Sequence, residues 1–320
     1  MADVLLTVRG LEVSYLTADG PVRAVEGVSF DLRRGEVLGL VGESGSGKST
    51  LVRGLLRVLE PPGAITGGDV HFDGIDLLAA SEDALRALRW RRISIVPQAA
   101  LNALNPVLTV GAQIVETLDA HGETSPTRAR ARAAEVLELV GIDPTHLRSY
   151  PHELSGGMRQ RVALGLALAC GADLVVMDEP TTALDVVVEH ELLQRVAALQ
   201  AQRGFAVLFI THDLLLLDAL ADRVGVLYSG RLVEIGPADV LARGGRHPYT
   251  RGLRAAIPPA LGEDRVPVAL DGSSPNLRSP PSGCRFHPRC AAAVAACRVT
   301  EPTRREVGPG HLVACHVEAP

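Results

Sequence analysis

Gly42-Glu43-Ser44-Gly45-Ser46-Gly47-Lys48-Ser49-Thr50 reads G-x-x-x-x-G-K-S, a spacing suited to gripping phosphate. Glycines let a backbone wrap an anion closely, since no Cβ obstructs the turn. Successive N–H groups and the N-terminus of a following helix then face the negative charge. In such a loop Lys48 reaches β- and γ-phosphates and the Ser49 hydroxyl binds Mg²⁺. The flanks agree. Glu36 to Val41 is a short apolar run fit for a buried strand, and Ser49 to Leu56 has helical spacing.

Further polar residues stand at the ends of apolar runs. Leu174-Val175-Val176-Met177 runs into Asp178-Glu179. A first carboxylate there holds Mg²⁺ directly or through water, and a second is placed to polarise an attacking water. Phe205 to Thr211 delivers His212 to the strand-end rim where α/β proteins bind ligands. Ile93 to Pro97 runs into Gln98, which reads either as a solvated loop residue or as a sensor of Mg²⁺ and water. Tyr15 reads as a packed aromatic or as a platform for an adenine ring. Leu154-Ser155-Gly156-Gly157-Met158-Arg159-Gln160 opens a helical run. Ser155 is at an N-cap position, and the two glycines admit another backbone, so the stretch is an ordinary capped helix or a second anion site.

The elements that must position these groups alternate between strand and helix. Residues 4–15 alternate loosely and predict an edge strand of an antiparallel sheet. Val22–Val25 and Val28–Leu32 predict two more strands, with a hairpin turn at Arg33-Arg34-Gly35. Residues 99–154 predict mostly helix, including Thr109–Ala120 and Thr127–Val140 separated by Gly122–Pro126. Ser81–Trp90 predicts a helix capped by Ser81. Pro180 to Asp185 predicts a turn, Val186–Gln202 a helix, and Val224–Ile235 a hairpin around Ser229-Gly230.

The bulk numbers narrow the classes. A chain of 320 residues, 47% hydrophobic, accommodates one large domain and a small one. A net charge of −5 gives no support for nucleic-acid binding. The N-terminal residues lack a basic segment followed by a long apolar stretch, so no signal peptide is expected. No uncharged run reaches membrane-spanning length; Val162–Met177 contains Asp173 and breaks at Gly171. A cytosolic protein is expected.

Cys170 stands alone in an apolar run and is expected in the core. Cys284, Cys290, Cys297 and Cys315 crowd the C-terminus, beyond a Pro/Gly/Ser-rich linker from Pro258 to Ser282. In a cytosolic chain such a cluster suits a metal better than disulfides. Four thiolates suit a [4Fe–4S] cluster or zinc, with His287 and His316 as alternative zinc ligands, and the spacing matches neither common zinc ribbons nor the usual ferredoxin run. A tail with so few apolar residues argues for some metal clip; free thiols are the remaining alternative.

With the phosphate loop, Gln98, L-S-G-G-M-R-Q, Asp178-Glu179 and His212 in this order, residues 4–258 resemble the ATP-binding cassette ATPases. The resemblance implies an α/β P-loop NTPase cassette with an antiparallel β subdomain, a helical subdomain at about 99–170 and a small Cys-rich C-terminal extension. The cassette would span 1–258, and the linker and extension 259–320. It implies that Tyr15 stacks on adenine, that residues Gly42 to Thr50 bind ATP, and that Ser49, Gln98 and Asp178 serve Mg²⁺. Glu179 would be the general base, His212 would hold the γ-phosphate and water, and Gln98 would link the site to a membrane subunit. Two cassettes would pair head to tail. Ser155, Gly156 and Gly157 would then bind the γ-phosphate held by the other chain, and Asp185 would connect the two sites.

Within that family, Leu104 to Ile114, His247-Pro248-Tyr249-Thr250-Arg251-Gly252-Leu253 with Ile257-Pro258, and Gly283 to Cys290 resemble the oligopeptide and dipeptide importers. Some cassettes of that kind carry an iron–sulfur cluster in the tail, which favours iron–sulfur over zinc here. The expected function is ATP hydrolysis that drives peptide import. The partners implied are a second, related cassette, two permease subunits and an extracytoplasmic binding protein, with no nucleic acid. The implied place is the cytoplasmic face of the membrane. Nickel or metallophore importers share the layout. A soluble cassette ATPase would typically show a long coiled-coil insertion or two cassettes in one chain, and neither is present.

Overall fold

A computed structural model describes residues 3–98, 103–122, 125–182, 184–258 and 266–317. In chain order its main elements are β1 (Val4–Thr17), β2 (Gly20–Arg33), β3 (Val37–Val41), α1 (Lys48–Leu55), β4 (Gly63–Phe72), β5 (Ile75–Asp76), α2 (Glu82–Leu88), β6 (Ile93–Val96), α3 (Val110–Ala120) and α4 (Pro126–Leu139). Then come α5 (Gly156–Ala169), β7 (Leu174–Asp178), α6 (Val186–Arg203), β8 (Ala206–Thr211), α7 (Leu214–Leu220), β9 (Arg223–Tyr228), β10 (Arg231–Pro237), α8 (Ala238–Ala242), α9 (Pro248–Ala255), β11 (Arg304–Gly308) and β12 (His311–Ala314). The chain divides into two units. One comprises Met1–Asp3, Arg33–Glu36 and Ala79–Ile210; the other comprises Val4–Leu32, Val37–Leu78 and Thr211–Pro320.

In the first unit β6, β7 and β8 run parallel, with Ile93 opposite Leu174 and Leu174 opposite Ala206. β7 and β8 are buried throughout, as an apolar strand covered on both faces must be. The helices are capped by short polar side chains where the sequence offers them. Ser81 Oγ accepts from Ala84 N, Thr109 Oγ1 from Ala112 N and Ser125 Oγ from Arg128 N. The predicted helix boundaries at Ser81, Thr109 and Thr127 thus hold to within a few residues. Ala183, Glu123, Thr124 and the predicted helical residues 99–102 lie outside the described residues.

In the second unit, β2, β1, β4 and β5 form an antiparallel sheet in that order. β1 is therefore interior, not the predicted edge: β4 pairs along its length, from Leu6 opposite Phe72 to Tyr15 opposite Gly63. The two short strands expected at 22–32 are one strand of 14 residues, which passes through Gly27 at φ 66° instead of ending there. The turn at Arg33-Arg34-Gly35 is no hairpin, because β3 pairs with β9 in parallel, Leu38 opposite Arg223. β9 and β10 form the predicted hairpin, with Ser229 and Gly230 both at positive φ.

The tail belongs to this second unit. β12 pairs antiparallel with β10, and β11 with β12. Phe286 is buried against Tyr228, Tyr249 and His247, with ring centroids 5.2, 5.4 and 5.8 Å away. Strand partners and aromatic rings outside the tail thus help to hold it. Part of the predicted linker, 259–265, lies outside the described residues; 266–282 carries no helix or strand.

Candidate nucleotide site

The sequence-predicted residues fall into two sets, one in each unit. In the second unit the buried strand β3 leads into the glycine-rich loop, and α1 begins at Lys48. Gly47 caps α1 at φ 100° without a side-chain hydrogen bond, so no side chain competes there for the first N–H groups of the helix. A Cβ on Gly47 would lie 2.3 Å from the Ala24 carbonyl oxygen, and one on Gly42 would lie 2.2 Å from that of Leu227. Both positions need glycine for space. Lys48 is buried, and its Nζ donates to the carbonyls of Gly42 at 2.7 Å and Glu43 at 3.1 Å. That bends the ammonium back over the loop. Ser46 Oγ is buried without a hydrogen-bond partner, a polar atom in want of one. The Tyr15 hydroxyl shares a hydrogen bond with Thr50 Oγ1 at 3.1 Å, and the ring is half-buried. His212 follows β8 and is exposed.

In the first unit Asp178 closes β7 and is buried. Glu179 comes next at φ 48°, a left-handed conformation that costs a non-glycine residue energy and recurs at functional sites. Its backbone N–H donates to the Ile210 carbonyl. Its Oε2 accepts from Gln98 Nε2 at 2.9 Å and from Thr182 Oγ1 at 3.3 Å. Gln98 is thus brought to the carboxylate, whereas Thr182 was not foreseen. Ser155 Oγ accepts from Met158 N at 3.2 Å, so the cap at the head of α5 is real. A Cβ on Gly156 would meet nothing within 4 Å, while one on Gly157 would meet Val188 Cγ1 at 2.4 Å. Asp185 caps α6, accepting from Val187 N and Val188 N. Cys170 ends α5 half-exposed, outside the core where the sequence placed it.

Sequence reasoning missed the partners of Glu43. Its carboxylate accepts a forked pair of hydrogen bonds from Arg289, at 2.8 and 2.9 Å, and a third from Ser274 Oγ at 2.5 Å. Its backbone N–H donates to the Tyr249 hydroxyl at 2.9 Å. Arg289 holds the Glu43 carboxyl below the usual carboxylate range, while burial pushes the Tyr249 hydroxyl upward. The only signal in the sequence was an arginine beside a cysteine in a compact, polar tail.

The four tail cysteines are unpaired thiols. Burial pushes the Cys284 thiol up to about 11, and the neighbouring cysteines add to the rise. Among the described residues no group of three or more His, Cys, Asp or Glu is arranged to hold a metal ion, the tail cysteines and His287 and His316 included. The donor chemistry suits a metal cluster; the arrangement does not supply the site. No described helix is long and apolar enough to cross a membrane.

The chain was compared with known proteins. The ABC transporter family model matches residues 25–182, and the model of the oligopeptide/dipeptide transporter C-terminal region matches 233–297. A probable peptide ABC transporter ATP-binding protein of Sinorhizobium fredii is 44% identical over 98% of this chain and 95% of that protein. The dipeptide transport ATP-binding protein DppD of Bacillus subtilis is 41% identical over 98% of this chain and 95% of its own. Among solved structures, the ATP-binding cassette MJ0796 in a dimeric post-hydrolysis state with ADP and Pi aligns with a TM-score of 0.66 at 27% identity. That alignment covers 73% of this chain and 99% of that one. A phosphate loop with a back-folded lysine, a strand ending in two carboxylates and identity at this level over nearly the whole length make this chain a member of the ABC transporter family of ATP-binding cassettes, an ATPase with the C-terminal region of the oligopeptide/dipeptide transporters.

Proposed function

We propose that the chain is the ATP-hydrolysing subunit of a peptide importer. One observation carries the reading: a cassette's phosphate loop is joined in one chain to the oligopeptide/dipeptide transporter C-terminal region, as in relatives named for peptide transport. In this reading 1–258 is the cassette, with its helical subdomain at about 99–170, and 259–320 is the extension. Residues Gly42 to Thr50 cradle the phosphates of ATP, Lys48 turns its ammonium to the β- and γ-phosphates, and Tyr15 supports the adenine. Ser49, Asp178 and Gln98 are the residues that would supply oxygen donors to Mg²⁺. A strand-end carboxylate with 5% of its surface exposed suits a hard cation. When bound, that ion offsets phosphate charge.

Glu179 orients the attacking water and takes its proton, held for that task by Gln98 and Thr182. His212 steadies the water and the terminal phosphate. ATP and water become ADP and phosphate, and the work of the side chains is positioning and charge stabilisation. A second cassette, related but distinct, completes the site. The open space at Gly156 supports this, as do Val186 and Val187, which follow Asp185 with 79% and 69% of their surface exposed. Two permease subunits and an extracytoplasmic binding protein complete the system. The cassettes lie on the cytoplasmic face of the membrane. A cluster or zinc ion in the tail draws support only from the four thiols and their mutual electrostatic influence, and no step depends on it.

Deletion of the gene tests the reading. Uptake of labelled dipeptide and tripeptide should be lost, then restored by the wild-type chain and not by Glu179→Gln. Loss of nickel uptake with peptide uptake intact would replace the peptide reading by the metal one.

A further inference from the structure

Glu43 adds a negative charge to a loop built to grip a polyphosphate. Lys48 donates to the carbonyl of this same residue, and its ammonium draws the Glu43 carboxyl further down. An uncompensated Glu43 would therefore draw on the charge of the lysine and weaken its hold on phosphate. The tail supplies the compensation. The Arg289 side chain is 6% exposed and its fork spans both Glu43 oxygens, the strongest geometry for such a pair. Its position is fixed from several directions. Nε donates to the Asp271 carbonyl at 2.7 Å, and the guanidinium lies 5.8 Å from the Tyr228 ring centroid and 5.9 Å from that of Phe286. Ser274 adds its hydroxyl to the same carboxylate, and Tyr249 holds the Glu43 backbone.

We propose that Arg289 is a positioning residue of the phosphate loop: by fixing and neutralising the Glu43 carboxylate it leaves Lys48 to the phosphates, so that the C-terminal tail sets the nucleotide affinity of its own chain. The inference rests on the reading of Gly42 to Thr50 as the nucleotide cradle. Its consequence is that an extension outside the cassette acts directly on the cassette's most central loop, across 246 positions of sequence.

The test is titration of a fluorescent ATP analogue into the full-length chain, with steady-state hydrolysis in parallel. Arg289→Met should weaken binding about tenfold and raise KM while leaving kcat at saturating ATP within about twofold. Removing the stranded charge in Glu43→Gln/Arg289→Met should recover most of the affinity, a non-additive pair. Wild-type affinity in Arg289→Met, or a double variant as weak as the single, would overturn the proposal. Where Arg289→Met does not fold, Arg289→Lys keeps the charge and loses the fork, and should bind about threefold more weakly. Unchanged affinity there overturns the proposal equally. Lys48→Ala separates the two levels. If it binds nucleotide normally, the cradle reading itself falls; if it loses binding while the Arg289 variants do not, only the tail's role falls.

Discussion

Gln98 Nε2 donates to Glu179 Oε2 at 2.9 Å, tying the residue just beyond β6 to the carboxylate that follows the neighbouring parallel strand. The bond does two things. It aims the carboxylate, and it occupies one of that carboxylate's oxygens, with Thr182 on the same atom. Glu179→Gln keeps the shape and removes the basicity. Hydrolysis should fall by about 10²- to 10⁴-fold, the usual worth of a positioned base. Binding of the fluorescent analogue should persist. Phosphate release within a few-fold of wild type would refute the role given to Glu179.

Two glycines in the proposed nucleotide machinery should behave oppositely. Gly47→Ala places a Cβ 2.3 Å from a backbone carbonyl and forces alanine to φ 100°. Neither can relax cheaply, so thermal stability should drop, by more than the 1 to 3 kcal/mol of backbone strain alone. Gly156→Ala meets nothing within 4 Å in its own chain. Its melting temperature should stay within about 1 °C of wild type, while, if the proposed partner cassette uses that space, hydrolysis by assembled transporter falls at least tenfold. Full activity in Gly156→Ala would remove that glycine from the cassette interface.

What the sequence made legible was local. A glycine-rich loop between an apolar run and a helical one, a serine at a helix start, and two acids at the end of a buried run are each set by residues within a few positions. They appear where expected at Gly42–Lys48, Ser155 and Asp178-Glu179. What it hid depends on distant pairing. The alternation of 4–15 is equally compatible with an edge or an interior strand, and only the partnership with β4 decides. β11 reads Arg304-Arg305-Glu306-Val307-Gly308 and carries no strand pattern; it is a strand because β12 offers an edge beside β10. Arg289 gave no sign of its partner, since nothing in a polar tail says which carboxylate it will meet.

The tail's last strand should matter to stability. His311 Nε2 meets the Glu234 carboxylate at 2.7 Å, and Glu234 is completely buried. Arg246 N and His247 N donate to the same carboxylate, so it is well satisfied as it stands. His311→Ala removes one of these partners from a buried charge and opens a gap beside Gly236. A loss of about 2 to 3 kcal/mol is expected, the scale of a hydrogen bond to a charged group. Chemical denaturation of the variant should show it. A change below about 0.5 kcal/mol would mean that β12 is not held to β10 through this pair.

His247 gives the fold a built-in sensitivity to acid. It is buried, and desolvation lowers its pKa from 6.5 to about 4, against the opposing pull of Glu234 and the Ala314 backbone. Its Nδ1 accepts from Tyr249 N at 3.0 Å, so protonation there would also forfeit a bond at the start of α9. The sign follows from which state takes the proton first. As pH falls the unfolded chain binds it near 6.5 and the folded chain only near 4. Stability from this group is full above about 6.5 and is lost progressively toward about 4. The whole span is worth about 3 kcal/mol, and about 2 kcal/mol of it is gone by pH 5. Melting temperatures at pH 7.5 and 5.0 should therefore differ more for wild type than for His247→Asn, whose Oδ1 can take the place of Nδ1 at the cap of α9 but cannot charge. Other carboxylates and histidines titrate in both proteins, so the difference between the two shifts isolates His247. Equal shifts would show that this imidazole is not the group that couples proton binding to unfolding.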